Sequence, residues 1–225
     1  MKYLVVANWK CNPATLSEAK KLFDSVGKGA KNIKNAEVVI CPPFVYLPDI
    51  RHTKYNIRLG AQDCFWEEKG AFTGEISPKM LKNLGVEYVI IGHSERRRYL
   101  NETDKMVNKK LKLVLSLGLK PILCIENLNQ LKKDLKGMGI SKKVIVAYEP
   151  VFAIGTGKPC GVVMAKKMRS SINQPRVLYG GSVNSQNAKD YIKKGKFQGL
   201  LVGGASLNPT EFVALVKEVD LISKI

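Results

Sequence analysis

The stretch EYVIIGHSERRRYLNETDKMVNKKLKLVLSLGLKPILCI, residues 87–125, decides the fold of this chain. It opens with a run rich in Val and Ile and closes with KPILCI at 120–125, and both runs resemble strands that are buried on two faces. Between them, Lys105–Leu117 has helical periodicity and is followed by Gly118, a residue type that often ends helices. We expect its inward stripe to consist of Met106, Val107, Leu111, Val114 and Leu115. The stretch therefore predicts a strand, a helix and a second strand in succession.

The same alternation continues in both directions along the chain. Short apolar runs predict eight strands, at residues 3–9, 37–43, 57–62, 87–93, 120–125, 143–149, 176–181 and 199–204. Thr15-Leu16-Ser17-Glu18 has the spacing of a capping box, and the helix that it opens is predicted to bury Leu16, Ala19, Leu22 and Phe23. Further helices are predicted at Pro78–Leu84, Leu128–Gly137, Val162–Ile172, Gln186–Lys194 and Pro209–Val219.

Eight strands that alternate with helices indicate an α/β protein with a parallel sheet, and eight repeats indicate closure as a (β/α)8 barrel. An open doubly wound sheet is the main alternative. It normally has fewer strands and a GxGxxG turn, which is absent after the first predicted strand. With 225 residues and 45% hydrophobic composition, the chain is predicted to form a single domain over residues 1–225.

Composition argues against several classes of protein. No apolar run approaches the roughly 20 residues needed to span a bilayer, and the start MKYLVVANWKCN turns polar too soon for a secretory signal. We therefore expect a cytoplasmic protein with no membrane partner. The cysteines contain no CxxC pair, so we expect small apolar packing residues rather than disulfides or a metal site. They are Cys11, Cys41, Cys64, Cys124 and Cys160.

The formal charge of +18 would attract any polyanion, which makes nucleic acid a hypothesis to test. The lysines, however, occur in dispersed pairs on the predicted helices, such as Lys109-Lys110 and Lys166-Lys167, and no nucleic-acid-binding motif accompanies them. This pattern favours solubility and attraction of small anions over recognition of nucleic acid.

Unusual polar residues follow the predicted strands. Asn8 and Lys10 come at or after the end of the first, His93 ends the fourth, and Glu149 ends the sixth. Active sites of (β/α)8 barrels are built at this rim, so these are candidate catalytic residues. A helix start is predicted after His93, and its positive end should lower the pKa of the imidazole and keep it neutral.

Paired glycines follow the last two predicted strands. Gly180-Gly181-Ser182 follows the seventh strand and Gly203-Gly204 follows the eighth, and we expect both to open helices. Backbone N–H groups at a helix N-terminus bind phosphate well. A carboxylate base, a neutral imidazole, an ammonium group and a phosphate cradle together suit proton abstraction next to a carbonyl of a phosphorylated substrate.

The segment AYEPVFAIGTGK, residues 147–158, predicts a lid. Pro150 restrains the backbone of Glu149, while glycines near the far end allow backbone angles that are closed to other residues. The middle of the loop, at 152–154, is too apolar for a solvated turn, so we expect it to cover a bound ligand. An ordinary surface turn beside a salt-bridged glutamate is the alternative.

Five segments, in order, resemble the triosephosphate isomerase family: ANWKCN, GAFTGEISPKMLKNLGVEYVIIGHSERR, AYEPVFAIGTGK, YGGSV and LVGGASL. The resemblance implies the TIM-barrel fold and interconversion of dihydroxyacetone phosphate and D-glyceraldehyde 3-phosphate through an enediolate. It also implies a place in glycolysis and gluconeogenesis, and no metal or organic cofactor. This family is itself the established example of a glutamate base beside a neutral histidine under a closing loop.

The resemblance also implies roles for individual residues. Glu149 would move the proton between the two carbons, and His93 would polarise the substrate oxygens. Lys10, helped by Asn8, would stabilise the developing negative charge, and Glu95 would be the family's acidic partner after His-Ser. The implied phosphate contacts are Asn8, Lys10, Gly155, Ser182, Gly203 and Gly204. The implied lid, latched by the hydroxyl of Tyr179, consists of Pro150, Val151, Phe152, Ala153, Ile154, Gly155, Thr156, Gly157 and Lys158.

The loop Gln62–Glu75 indicates that the protein binds a partner. In a monomer this loop would stay partly exposed to solvent although it carries four apolar residues, Phe65, Trp66, Ala71 and Phe72. The resemblance places this loop, around Thr73, in a neighbouring subunit's pocket near Cys11, and therefore implies a homodimer. A loop folded back on its own barrel is the alternative.

The chain departs from the family pattern in its outer layer. After PILCI the usual Gly-Glu is replaced by Glu126-Asn127, Phe152 stands where many relatives have Trp, and the connections 126–143 and 158–176 are short. We therefore expect shortened outer helices around an intact rim. Two other functions stay open, a basic barrel that binds polyanions without catalysis and an isomerase of another small phosphosugar.

Overall fold

Eight parallel strands form a closed barrel in this chain. The structure is a computed structural model, and it describes residues 2–50, 55–138, 143–153 and 159–222. Each strand pairs with its neighbours in chain order, and the first strand closes against the last. The predicted (β/α)8 barrel is confirmed. The strands are β1 Tyr3–Asn8, β2 Ala36–Cys41, β3 Ile57–Ala61, β4 Tyr88–Ile91, β5 Lys120–Ile125, β6 Ile145–Tyr148, β7 Val177–Tyr179 and β8 Gly199–Val202.

The helices lie in an outer layer around the barrel. Within the described residues they are α1 Leu16–Gly29, α2 Leu47–Ile50, α3 Pro78–Asn83, α4 Ser94–Leu100, α5 Asp104–Ser116, α6 Leu128–Asp134, α7 Val162–Ser171, α8 Ala188–Lys193 and α9 Pro209–Asp220. Four of them, α3, α4, α6 and α8, have only six or seven residues, and α6 lies in the connection 126–143 that was predicted to be short. None of these helices is long and apolar enough to cross a bilayer.

One short helix was missed, and several predicted strands run too long. The missed helix α2 has four residues, too few for an apolar period to be visible in the sequence. The helix α4 begins at Ser94, where a helix start after His93 was predicted. Predicted strand 87–93 is observed as Tyr88–Ile91, because Gly92 turns the chain with a φ of +71°. The apolar run therefore included the turn that comes after the strand.

Every strand is buried on both faces, as its composition predicted. In β1, Leu4 and Val6 belong to the cluster that fills the barrel, whereas Val5 and Ala7 belong to the layer between barrel and helices. This alternation is the period of two that a strand imposes on its side chains. The side chains that fill the barrel interior are those of Leu4, Val6, Val39, Cys41, Tyr88, Ile90, Ile122, Cys124, Ile145, Ala147, Leu178 and Leu201.

The predicted helix signals are largely confirmed. Thr15 Oγ1 accepts the N–H of Glu18 at 3.3 Å, and the Glu18 carboxylate accepts the N–H of Thr15 at 3.2 Å, which completes the capping box of α1. In α5, the predicted stripe is fully buried at Val107, Leu111 and Val114 and half-buried at Met106 and Leu115.

The expectation that the cysteines are packing residues holds for four of the five. Cys41, Cys64, Cys124 and Cys160 are buried free thiols. Cys11 is exposed, so the prediction was wrong there. It lies in the loop that leaves β1 at the rim of the barrel, outside the packed layer between strands and helices.

Candidate active site

The carboxyl ends of the strands bring four predicted catalytic residues to one cavity of about 300 Å³. Asn8 ends β1 and Lys10 lies two residues later, while His93 and Glu149 follow β4 and β6. Parallel strands of a barrel end at the same rim, which is why residues distant in sequence meet here. The other residues that line the cavity are Gly180, Gly181, Ser182, Val183, Asn184, Leu201, Gly203, Gly204 and Ala205.

Lys10 has a strained backbone that is held on both sides. Its φ is +54°, a region that non-glycine residues rarely adopt. Its N–H donates to Asn8 Oδ1 at 3.1 Å, and Gln62 Nε2 donates to its carbonyl oxygen at 2.8 Å. The ammonium group reaches the carboxylate of Glu95. Strain that the surroundings maintain in this way is typical of functional sites.

Glu149 is a buried carboxylate, 3% exposed, between two donors from the β4 side of the barrel. Its Oε1 lies 3.2 Å from His93 Nε2, and its Oε2 accepts the N–H of Ser94 at 3.4 Å. Burial by itself would raise the pKa of Glu149, but His93, the Ser94 N–H and Lys10 outweigh it, so the net pKa lies below the usual value. The carboxylate is therefore ionised and able to accept a proton at neutral pH.

His93 caps the first turn of α4 and thereby fixes its own tautomer. Its Nδ1 accepts the N–H of Glu95 at 3.2 Å, so the proton of a neutral imidazole lies on Nε2, which faces Glu149. Burial lowers the pKa of His93, but the carboxylates of Glu149 and Glu95 raise it more, and the net direction is upward. The predicted lowering of this pKa was wrong for this arrangement, because the prediction did not include the contact with Glu149.

The two glycine pairs lead into different local structures. Gly203-Gly204 opens a short 3-10 helix, Gly204–Leu207, as predicted, and no atom of the described residues lies within 4 Å of the place where a Gly204 Cβ would stand. Gly204 therefore leaves its backbone open to a ligand. No helix begins at Gly180-Gly181, and α8 starts only at Ala188, so the prediction of a helix there was wrong.

The reason lies in the turn after Ser182. Ser182 has a φ of +49°, and the side chain of Asn184 accepts the N–H groups of Gln186 and Asn187 at 3.1 and 3.0 Å. These side-chain hydrogen bonds stabilise a turn instead of a helix. The segment after β7 therefore lines the cavity as a turn.

Only the first part of the predicted lid is described. Phe152 is 57% exposed and Ala153 is buried, and Ser182 Oγ donates to the Ala153 carbonyl oxygen at 2.5 Å. The loop therefore already contacts the segment after β7. The rest of the lid, including the implied phosphate contact at Gly155, lies outside the described residues: Ile154, Gly155, Thr156, Gly157 and Lys158.

After the lid segment, two tyrosines form hydrogen bonds with the backbone N–H and carbonyl oxygen of Cys160. Cys160 N–H donates to the hydroxyl of Tyr179 at 3.0 Å, and the hydroxyl of Tyr191 donates to the Cys160 carbonyl oxygen at 2.5 Å. The two rings stack with centroids 3.8 Å apart. The resemblance implied Tyr179 as the latch of the lid, and here its hydroxyl binds the backbone two residues after the predicted lid. Tyr191 was missed, because in the sequence it looks like one more apolar residue of α8.

A second cavity, of about 280 Å³, borders the first on the side of β1 and α4. Lys10 and His93 line both cavities, and the second also reaches Glu95 and the exposed Cys11. Two exposed apolar residues at the end of α4, Tyr99 and Leu100, form part of its wall.

The apolar loop Gln62–Glu75 is partly exposed to solvent, as predicted: Ala71 and Phe72 are exposed and Trp66 is half-buried. Phe65 is buried, because its ring centroid lies 4.1 Å from that of Trp66 and 4.7 Å from that of Phe72. Phe72 remains 43% exposed at the outside of this aromatic cluster.

A buried ion cluster beside the site was also missed. Lys110 Nζ lies 2.8 and 2.9 Å from the two oxygens of Asp63 and contacts Glu102, and Arg96 Nη2 lies 2.8 Å from Asp63. The signal in the sequence was a lysine at a position of α5 flanked by the buried Val107 and Leu111. A charge on an inward face requires buried partners.

Comparison with known proteins agrees with this geometry. The triosephosphate isomerase family model matches residues 3–219. The chain is similar to triosephosphate isomerases of Thermoanaerobacter pseudethanolicus, 45% identical over 95% of this chain and 98% of the relative, and of Aquifex aeolicus, 40% identical over 96% and 99%. It is also similar to that of Dehalococcoides mccartyi, 43% identical over 99% and 98%. The chain belongs to the triosephosphate isomerase family.

Proposed function

We propose that the protein interconverts dihydroxyacetone phosphate and D-glyceraldehyde 3-phosphate through an enediolate. The observation that carries the proposal is the meeting of the ionised Glu149, His93 Nε2 at 3.2 Å and Lys10 in one cavity of about 300 Å³. The relatives named above carry the name of this activity.

Glu149 is the base in this proposal. Its carboxylate takes a proton from the carbon next to the substrate carbonyl, holds it as a carboxylic acid, and returns it to the neighbouring carbon. No atom is gained or lost, so one residue serves both half-reactions. A base that works within a closed site needs direct contact with the carbon acid, which its position directly after β6 allows.

His93 and Lys10 stabilise the charge that develops on the substrate oxygens. His93 donates from Nε2, and the Glu95 N–H keeps its Nδ1 unprotonated. When a substrate oxygen replaces Glu149 as the partner of Nε2, the carboxylate that raises the pKa of His93 moves away. The imidazole can then act as a neutral donor, and the Lys10 ammonium, helped by Asn8, supplies the positive charge.

The phosphate group would bind on the opposite side of the cavity. The open backbone at Gly204, the hydroxyl of Ser182 and the charge of Lys10, whose side chain packs against Gly203, line this part of the cavity, and the implied contact from Gly155 would complete the set. Closure of the lid would exclude water, because a wet enediolate can expel phosphate instead of accepting a proton. We assign the protein to the cytoplasm and to glycolysis and gluconeogenesis.

Replacement of the base tests this proposal. In a coupled assay with dihydroxyacetone phosphate, Glu149→Gln should lower kcat by about 10²–10⁴-fold, while a phosphorylated enediolate mimic still binds. The control is Glu126→Gln, which changes a carboxylate that does not line the cavity and should leave kcat unchanged. Near-normal turnover in Glu149→Gln would refute the assignment. Salt-sensitive binding of polyanions by a protein without isomerase activity would favour the binding-barrel alternative.

We further propose a homodimer in which the loop around Thr73 of one subunit fills the second cavity of the other. Exposed Phe72, Tyr99 and Leu100 and the cavity beside Cys11 support this proposal. Light scattering should give twice the chain mass at micromolar concentration. Thr73→Arg should shift the protein to monomers, whereas Lys189→Arg on the far outer layer should not. A monomeric wild type would contradict the proposal.

A further inference from the structure

The mostly buried side chain of Arg97 contacts the turn that precedes His93, from the side of the outer layer. Arg97 of α4 donates from Nε to the carbonyl oxygen of Gly92 at 2.8 Å. A Cβ atom at Gly92 would stand 2.6 Å from Arg97 Nη2, so the guanidinium lies directly against this turn. His93 is the next residue and starts α4 through its bond with Glu95. The guanidinium of Arg97 therefore holds the residue before His93, while the bond with Glu95 holds His93 itself.

Arg97 in turn depends on two carboxylates of the outer layer. Its Nη1 lies 2.8 Å from Asp104 at the start of α5, and its Nη2 lies 2.7 Å from Asp134 at the end of α6. The side chain of Asp134 is 0% exposed. Asn108 Nδ2 donates to the Asp134 carbonyl oxygen at 2.7 Å, which holds the end of α6 against α5. The outer layer is thus connected to the active-site turn by buried, directional contacts.

Asp134 is a poor stabiliser of the fold. Burial raises its pKa to about 7, although Arg97 opposes this shift. Its Oδ1 has no hydrogen-bond partner in the part of the chain that the structure describes. A carboxyl group whose pKa is raised on folding stabilises the protein when protonated, and that contribution is lost as pH rises through about 7. At neutral pH the Asp134 carboxyl therefore adds little to the stability of the fold, and its contact with Arg97 calls for another explanation.

We propose that Asp134 is a positioning residue for the isomerase reaction, which acts through Arg97 and the Gly92 carbonyl to aim His93 Nε2. The proposal rests on the proposed role of His93. Asp134 and Arg97 line neither cavity, so the effect is indirect. Removal of the Asp134 carboxylate frees one arm of the guanidinium and lets the turn at Gly92 shift. A small displacement of a group that must meet a substrate oxygen has a large effect on rate.

Steady-state kinetics separate positioning from binding. Asp134→Ala should lower kcat about tenfold, while KM for dihydroxyacetone phosphate changes less than about twofold because the phosphate cradle lies on β7 and β8. Asp134→Asn keeps an oxygen that accepts from Arg97 and should lose about twofold to threefold in kcat. Lys132→Ala, an exposed residue of the same helix, is the control and should match the wild type.

Nitrogen NMR of the imidazoles provides a readout that does not depend on activity. The chain has two histidines, so His52→Gln assigns the signals of His93. We expect a hydrogen-bonded, unprotonated Nδ1 in the wild type and in Lys132→Ala, and shifted or broadened His93 signals in Asp134→Ala. A folded Asp134→Ala protein with wild-type kcat and wild-type His93 signals would overturn the proposal. Should that variant fail to fold, Asp134→Asn decides by the same two criteria. Wild-type protein without isomerase activity would instead count against the proposed function, and the NMR comparison would still decide the role of Asp134.

Discussion

Replacement of Lys110 by methionine should destabilise the protein strongly. The lysine is 2% exposed and donates to both oxygens of Asp63 and to Glu102, which are themselves buried. Methionine fills a similar volume but leaves two buried carboxylates with Arg96 as their remaining cation. Breaking a buried pair from one side typically costs about 3–5 kcal/mol. At about 2–4 °C per kcal/mol for a chain of this size, Tm should fall by about 6–20 °C at pH 8.

The pH dependence of this loss follows from Asp63. Burial raises the pKa of Asp63 to about 6 even with Lys110 beside it, and Lys110 acts to lower it. In Lys110→Met that opposing cation is gone, so the pKa of Asp63 rises further. A raised pKa gives stability that is present at low pH and lost as pH rises through the pKa. The difference in Tm between variant and wild type should therefore shrink as pH falls from 8 to 5.

Differential scanning calorimetry at fixed protein concentration measures both effects, since Tm of an oligomer depends on concentration. Lys112→Met, an exposed neighbour on α5, is the matched control and should change Tm by less than about 2 °C. The reasoning fails if Lys110→Met lowers Tm by no more than that control, or if its deficit is the same at pH 5 and pH 8.

Three further substitutions test local features by thermal unfolding and the coupled assay. Thr15→Ala removes the cap of α1 and should cost about 1 kcal/mol, with activity unchanged. Gly199→Ala would place a Cβ 2.0 Å from the Leu4 carbonyl oxygen where β8 closes on β1, so the barrel should be severely destabilised; normal Tm would contradict this geometry. Tyr191→Phe removes the donor to Cys160 and should cost about 1 kcal/mol; an unchanged Tm would show that this bond contributes nothing.

The rim of the barrel could be predicted from the sequence, because its signals are local. Each strand is a short apolar run, and Asn8, His93 and Glu149 stand at or directly after the end of one, so strand order alone places them at a common edge. The lid stays a prediction of the same local kind, drawn from an apolar loop between a proline and glycines. Helix ends and the conformation after β7 were harder to predict from the sequence, since hydrogen bonds of side chains such as Asn184 decide between a turn and a helix.

The buried ion pairs that support the rim could not be predicted, because they join residues that lie far apart in the sequence. One partner of Arg97, Asp134, lies 37 residues away on α6, and one partner of Lys110, Asp63, lies 47 residues away after β3. A single sequence shows that a residue is charged and that it lies on the buried face of a helix. It does not show which residue of opposite charge pairs with it. Even so, a lysine within the apolar face of α5 indicates that some buried carboxylate must exist.

These contacts also limit how far the outer layer can be shortened. The helix α6 has only seven residues, and it ends at Asp134, the residue whose carboxylate reaches Arg97. Loss of one more turn would remove that carboxylate and the carbonyl that Asn108 holds. The first residue of α5, Asp104, holds the other arm of the same arginine. The shortened helices therefore retain the residues that reach inward to His93, which explains how an outer layer of this size is compatible with an intact rim.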